Sequence, residues 1–290
     1  MAAGPIDPRN YQIAVLATLL LFGQVALGFG VDPATAATLL GVALALQAAL
    51  DRGLEGRPFE PRSALVSGLS LCLLLRTSDL GLAASAAAIA IGSKFAIRWR
   101  GKHLFNPTNL ALVVLLAATD RAWASPGQWG AAPFLAFFVA CAGGLVLHRA
   151  GRADITLAFL GSYAGLLVAR ALWLGDPLAI PLHQLQSGSL LIFAFFMISD
   201  PRTTPDTRAG RVVFAAIVAF VAVWLRFLRY EPQAILFALA ACAPLVPLLD
   251  RLLPAPRHQW RAAPPTSGGP HAVRPLPAPA PRGAALASGG

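Results

Sequence analysis

Charge is scarce in this sequence. Only 12% of its 290 residues are Asp, Glu, Lys or Arg, against roughly 25% in an average soluble domain. That shortage excludes an ordinary soluble enzyme and a disordered, highly charged chain. Lysine is nearly missing, with Lys94 and Lys102 the whole complement. The net charge of +10 and the pI near 10.9 therefore do not mark a nucleic-acid binder, which would expose many lysines. Cysteine is limited to Cys72, Cys141 and Cys242, each alone in an apolar run. No disulfide framework follows, and no metal site held by this chain is expected. The cysteines read as small buried apolar residues. A Gly-rich phosphate loop and a nucleophile–base pair are also missing, so catalytic residues stay unknown. His103, His148 and His183 do not pair at helical spacing, which argues against a bis-histidine haem.

What is present is apolar: 57% hydrophobic residues and a mean hydropathy of +0.65. Lipid is the solvent that suits such a chain. Apolar segments lie at 11–30, 34–50, 63–75, 80–93, 107–119, 130–147, 155–174, 185–199, 212–228 and 233–249. A span needs about 20 residues. The segments 63–75, 80–93, 107–119 and 185–199 are too short to cross alone and read as half-spanning helices. Such helices are tolerated only when packed in protein or lining a cavity. The expected fold is an all-α polytopic membrane protein with about ten transmembrane or half-transmembrane helices. Residues 1–10 lack a basic leader region, so they read as a short cytoplasmic N-terminus before a retained first helix. The membrane domain covers 11–253. Residues 254–290, rich in Pro, Ala and Arg, read as a disordered cytoplasmic tail.

Arginine placement sets the orientation. With the N-terminus inside, the inner loops hold Arg52, Arg57, Arg62, Lys94, Arg98, Arg100, Lys102, Arg149, Arg152, Arg202, Arg208 and Arg211. The other side holds Arg76, Arg121 and Arg229. This asymmetry predicts a multi-pass inner-membrane protein with both termini in the cytoplasm. It also accounts for the basic pI through topology and contact with anionic lipid. Trp123 and Trp129 suit an outer interfacial belt, and Phe134, Phe137 and Phe138 a lipid or packing surface.

The stretch from Ser67-Gly68 to Ser78-Asp79 parallels the stretch from Ser187-Gly188 to Ser199-Asp200. These are the third and eighth segments. Two five-segment halves, about 11–119 and 130–250, would then be inverted repeats, with a cavity at their interface. Ser-Gly pairs also serve close helix packing. Asp79 and Asp200 each end a short segment. They could handle a proton or cation on an ion path, or cap the next helix.

The most unusual stretch runs from Ser93 to Asn109. Asn106-Pro107 is a helix start, with Asn at the cap and Pro at the first helical position. Asn106 and Asn109 fall on one face. Their amides suit an uncharged ring with its own donor and acceptor edge, such as a flavin; the plainer alternative is a cap plus a surface Asn.

Ser93-Lys94-Phe95, Gly101-Lys102-His103-Leu104-Phe105-Asn106-Pro107 and Phe195-Phe196-Met197-Ile198-Ser199-Asp200-Pro201 resemble the signature stretches of one membrane family, the RnfD/NqrB family. Its two branches belong to the Rnf electron transport complex (RnfD) and to the sodium-pumping NADH:quinone oxidoreductase (NqrB). The similarity runs over about residues 11–250. It implies a ten-helix, two-repeat fold related to urea and ammonium channels. It also implies flavin cofactors, electron transfer through the membrane, and other membrane redox subunits as partners. The family's non-covalent riboflavin element maps onto Asn106 and Asn109. Phe105 and Lys94, from the same signature stretches, complete the cofactor-binding candidates. The family also links FMN to Thr in a Ser-Gly-Ala-Thr sequence. That sequence is absent here, and Thr119 stands in a different context, which argues against covalent FMN. The Gly101-Lys102-His103 and Ser125-to-Gly130 forms resemble short stand-alone relatives, some from enediyne biosynthesis clusters. The expectation is a membrane electron-transfer subunit with non-covalent riboflavin or FMN, coupled to ion movement, with no nucleic acid and no complete catalytic site of its own. The alternative is a solute channel or transporter that uses the same cavity without flavin.

Overall fold

Four helices begin on one sequence device: an acidic or amide side chain followed by proline. In the computed structural model, which describes residues 7–26, 28–125 and 152–256, Asp7, Asp32, Glu60 and Asn106 precede Pro8, Pro33, Pro61 and Pro107. Each side-chain oxygen accepts a backbone N–H of the first turn. Proline costs nothing there, because its missing N–H would have no partner inside the helix. The helices that follow are α1 (Pro8–Ala26), α2 (Pro33–Gly53), α3 (Pro61–Leu74) and α5 (Pro107–Ala118). Between the last two lies α4 (Leu80–Ala96), capped by Asp79.

The later part contains α6 (Ala153–Leu174), α7 (Ala179–Leu185), α8 (Gly188–Ile192) and a π-helical turn at Phe193–Met197. Then come α9 (Arg208–Leu228), α10 (Ala234–Cys242) and α11 (Leu245–Leu252). Strand structure is confined, among the described residues, to two short antiparallel ladders. β1 (Leu75–Arg76) pairs with β4 (Trp123–Ala124), and β2 (Arg98–Trp99) pairs with β3 (Lys102–His103).

Nine of the ten apolar segments fall on these helices or bent pairs. The tenth, 130–147, lies outside the described residues, as do Cys141, His148, Trp129 and the tail from 257. The helices α2, α6 and α9 are each long and apolar enough to cross a membrane. The bent pairs, α7 with α8 and its π turn (52°) and α10 with α11 (50°), raise the count to five if each is one span. The chain is thus a mostly helical, multi-pass membrane protein. α3, α4 and α5 are shorter apolar helices.

The helices bury narrow stripes of small residues. α4 turns Ala83, Ala86, Ala87 and Ala90 inward, and α9 turns Phe214, Ala215, Val218, Ala219 and Ala222 inward. Small side chains let backbones approach without a hydrophobic driving force. The opposite faces remain apolar: Leu157, Leu172, Trp173 and Phe220 are exposed. A helix apolar on both faces needs lipid outside. α2 packs on α3 and α4, and α4 on α5. In the second half α6 packs on α9, and α9 on α10. The two series meet where α5 touches α10.

The segment from Lys94 to Asn106, a loop by the sequence reading, contains a hairpin instead, with Trp99 opposite Lys102. Arg100 and Gly101 occupy the two turn positions with φ of 50° and 82°. Two positive φ values match the twist of a two-residue hairpin. Arg-Gly advertises such a turn poorly, because Arg is seldom left-handed.

Candidate functional site

The seam between α5 and the second half gathers most of the expected site residues. Asn106 Oδ1 accepts the Asn109 N–H at 3.0 Å, so the cap expected from Asn-Pro forms. Its Nδ2 donates to the Met197 carbonyl at 3.3 Å. That carbonyl also accepts the Asp200 N–H. Asn109 is buried rather than a surface residue, and its Nδ2 donates to the Leu236 carbonyl at 3.0 Å. Its Oδ1 is buried without a hydrogen-bond partner. A buried amide oxygen left unpaired costs about 1–3 kcal/mol, so a donor in that position would be held.

The π turn explains how Met197 reaches Asn106. An i→i+5 turn frees carbonyls from the regular ladder, and each must find a partner in an apolar interior. Thr156 Oγ1 donates to the Ala194 carbonyl at 2.7 Å, Ser199 Oγ to that of Phe195 at 2.5 Å, and Asn106 Nδ2 to that of Met197. Sequence reasoning misses Thr156, and names Ser199 only as part of the repeated and signature stretches. Each is a hydroxyl in an apolar run, a signal too common to stand out.

Lys94 ends α4 and is buried. Its Nζ donates to the Ser63 carbonyl at 2.8 Å and to Ser63 Oγ at 3.0 Å. It thereby ties α4 to the start of α3, and its hydrogen bonds go to neither Asn106 nor Asn109. Phe105 is half-buried just before the cap. Asp200 accepts the Arg202 N–H at 3.0 Å. Burial holds its carboxyl above the usual range, opposed by Arg202, Lys94 and Arg152. His103 is buried on β3, and burial together with Arg202, Lys94 and Arg98 pushes it down to about 3. The sequence does not single it out, because it has no partner at helical spacing.

Asp79 stands apart. It accepts from Gly81 N and Leu82 N at 2.8 and 3.1 Å and pairs with Arg121 at 2.8 Å. This is the capping role weighed for it. Asp79 caps α4 and Lys94 lies in its last turn; at about 1.5 Å per residue they are separated by roughly 22 Å. Asp200, coupled to Lys94, therefore lies at the opposite end of that helix from Asp79.

Ion pairs gather the basic loops at the Lys94 end. Asp7 holds Arg9 and Arg62, and Glu60 holds Arg62 as well. Arg57 joins Asp51 and Glu55, and Glu55 also holds Arg98. Lys102 reaches Asp250 at 2.7 Å and Asp206 at 3.2 Å. Among the described residues, no group of His, Cys, Asp and Glu could hold a metal ion.

Residues 119–258 match the NQR2, RnfD, RnfE family, which bears out the family resemblance; of the three signature stretches, the first two precede the match. The Phe195–Pro201 stretch and Leu236 lie inside this match; Asn106 and Asn109 precede it. The chain is 36% identical over 133 residues to the D subunit of the ion-translocating oxidoreductase complex of Escherichia coli O81 (strain ED1a), covering 45% of this chain and 33% of the relative. The same values hold for the protein of that name from strain SMS-3-5 / SECEC. The one from the Crooks strain is 37% identical over 113 residues, covering 38% and 32%. The matched stretch thus spans about a third of the length of these curated relatives.

Proposed function

We propose, from the kinship of residues 119–258 with the NQR2, RnfD, RnfE family, that the protein is a membrane subunit of an ion-translocating, electron-transferring complex. In this reading it holds one flavin, riboflavin or FMN, without a covalent bond. It works with other membrane redox subunits, since the relatives are subunits of an ion-translocating oxidoreductase complex. The protein in this reading has two inverted halves, and a recurring packing order supports them. The packing order α2–α4–α5 recurs as α6–α9–α10. The caps answer each other as well: Asn106 donates to Met197 at the end of one broken segment. Gln233, at the start of α10, donates to Ala124, whose strand pairs with β1, just after the short helix α3.

The observation that carries the flavin is the unpaired, buried Asn109 Oδ1 at the α5 N-terminus. It accepts one hydrogen bond from a ring N–H. Asn106 has both amide groups engaged, so it positions Asn109 rather than touching the ring. Lys94 and Asp200, with Arg202 and Arg152 nearby, form the charged group through which an ion or proton would be balanced. Bound flavin would supply reversible electron acceptance; the residues here hold and orient it.

Titration of purified protein with riboflavin or FMN, followed by quenching of flavin fluorescence, tests this. Asn109→Leu removes one acceptor and strands a ring donor, which should weaken binding by about one to three powers of ten. Equal affinity in wild type and variant would remove Asn109 from the site. No binding by wild type would favour the channel or transporter reading without flavin.

A further inference from the structure

The hairpin tip and α11 enclose a cavity of about 210 Å³ lined by Trp99, Arg100, Lys102, Asp206, Asp250 and Arg251, among others. Its charges do not cancel. Lys102 is bound to both carboxylates, and the second oxygen of Asp250 accepts the Asp206 N–H at 2.8 Å. Both acids are thus engaged within the protein. Arg100 and Arg251 have no carboxylate within ion-pair distance among the described residues. Arg251 lies over the Trp99 ring, 5.1 Å from its centre.

Two further features separate this cavity from a plain basic surface. Arg100 sits at φ 50°, a backbone region that favours glycine or asparagine. Strain of this kind persists where the surroundings fix a residue for use. Beside the cavity, α11 exposes Leu248 and Leu252, and Leu253 follows. Two arginines and a tryptophan lining one cavity, with one arginine on a helix that also exposes leucines, are the pattern of a membrane boundary.

We propose that this cavity is a binding site for the phosphate headgroup of an anionic phospholipid. Arg100 and Arg251 meet the phosphate, Trp99 sits at headgroup level, and the leucines of α11 meet the acyl chains. Arg-phosphate pairing is charge-assisted and directional. A lipid gains over a free anion by burying its chains on those leucines.

Native mass spectrometry of the full chain in mild detergent tests this. The ligands are dioctanoyl phosphatidylglycerol, dioctanoyl phosphatidylcholine and inorganic phosphate. Wild type should retain phosphatidylglycerol in preference to phosphatidylcholine, and millimolar phosphate should not displace it. The double variant Arg100→Gln/Arg251→Gln should lose that preference by about twenty- to thirtyfold, because each surface arginine near anionic lipid contributes about fivefold. If the double variant does not fold, Arg251→Gln alone should lose about fivefold. Arg229→Gln, at the far end of α9, should change nothing. An unchanged preference in the arginine variants would overturn the proposal. Displacement by inorganic phosphate alone would also overturn it, since that marks a free-anion site.

Discussion

Asn106 and His103 show what single side chains do at the seam. Asn106→Leu deletes a cap, about 1 kcal/mol, and the bond to Met197, about 0.5–1.5 kcal/mol. A drop of about 1.5–2.5 kcal/mol is expected by reversible denaturation in detergent. Asn106→Ser should recover the cap share, because its hydroxyl still accepts the Asn109 N–H. His103 gives a pH signature. Its folded value, near 3, lies below the ordinary 6.5. Above 6.5 both folded and unfolded forms are neutral, and its contribution is full. As pH falls below 6.5 the unfolded chain takes a proton that the fold refuses, and stability declines by up to about 1.4 kcal/mol per pH unit toward 3. His103→Gln should flatten that part of the denaturation profile. An equal slope in wild type and variant would show that His103 takes up a proton in the fold as readily as in the unfolded chain.

Among elements, the π turn at Phe193–Met197 depends most on neighbours. Thr156→Val keeps the shape but leaves the Ala194 carbonyl without its donor. A loss of about 1–3 kcal/mol is expected, measured by thermal unfolding. A change below about 0.5 kcal/mol would mean that the carbonyl finds another partner. This element also marks where sequence reading stops. The caps at Asn106 and Asp79 were legible, because the cap and its N–H partners are two or three residues apart. The apolar segments were legible by composition. The π turn was not, because Phe-Ala-Phe-Phe-Met has no local feature that separates i→i+4 from i→i+5. Its cause lies on α6 and α5, at Thr156 and Asn106. The hairpin escaped for a related reason: Arg100 takes a backbone conformation that its type disfavours, so only the surroundings determine it. Asn109 reads in the sequence as a contact residue or a surface one. That it is buried with one oxygen unpaired depends on Leu236, more than a hundred residues away.

At the scale of the whole molecule, the basic loops converge on the end of α4 that carries Lys94, and Asp79 with Arg121 marks the other end. The arginine asymmetry predicts that the first end is cytoplasmic. With Cys141 replaced by Ser, cysteines introduced at Gly101 and at Ser78 should respond oppositely to a membrane-impermeant thiol reagent in intact cells. Ser78 should be labelled and Gly101 protected; labelling of both would break the arrangement. On the proposed reading, the seam between the two halves holds a flavin without a covalent bond. That reading is tested most directly by the flavin content of protein purified in mild detergent from cells supplied with riboflavin and FMN. Denaturation should release a stoichiometric amount of flavin into solution, and the denatured band should carry no flavin fluorescence on a gel. Colourless protein would contradict the claim, and a fluorescent denatured band would show that the flavin is held by a covalent bond after all.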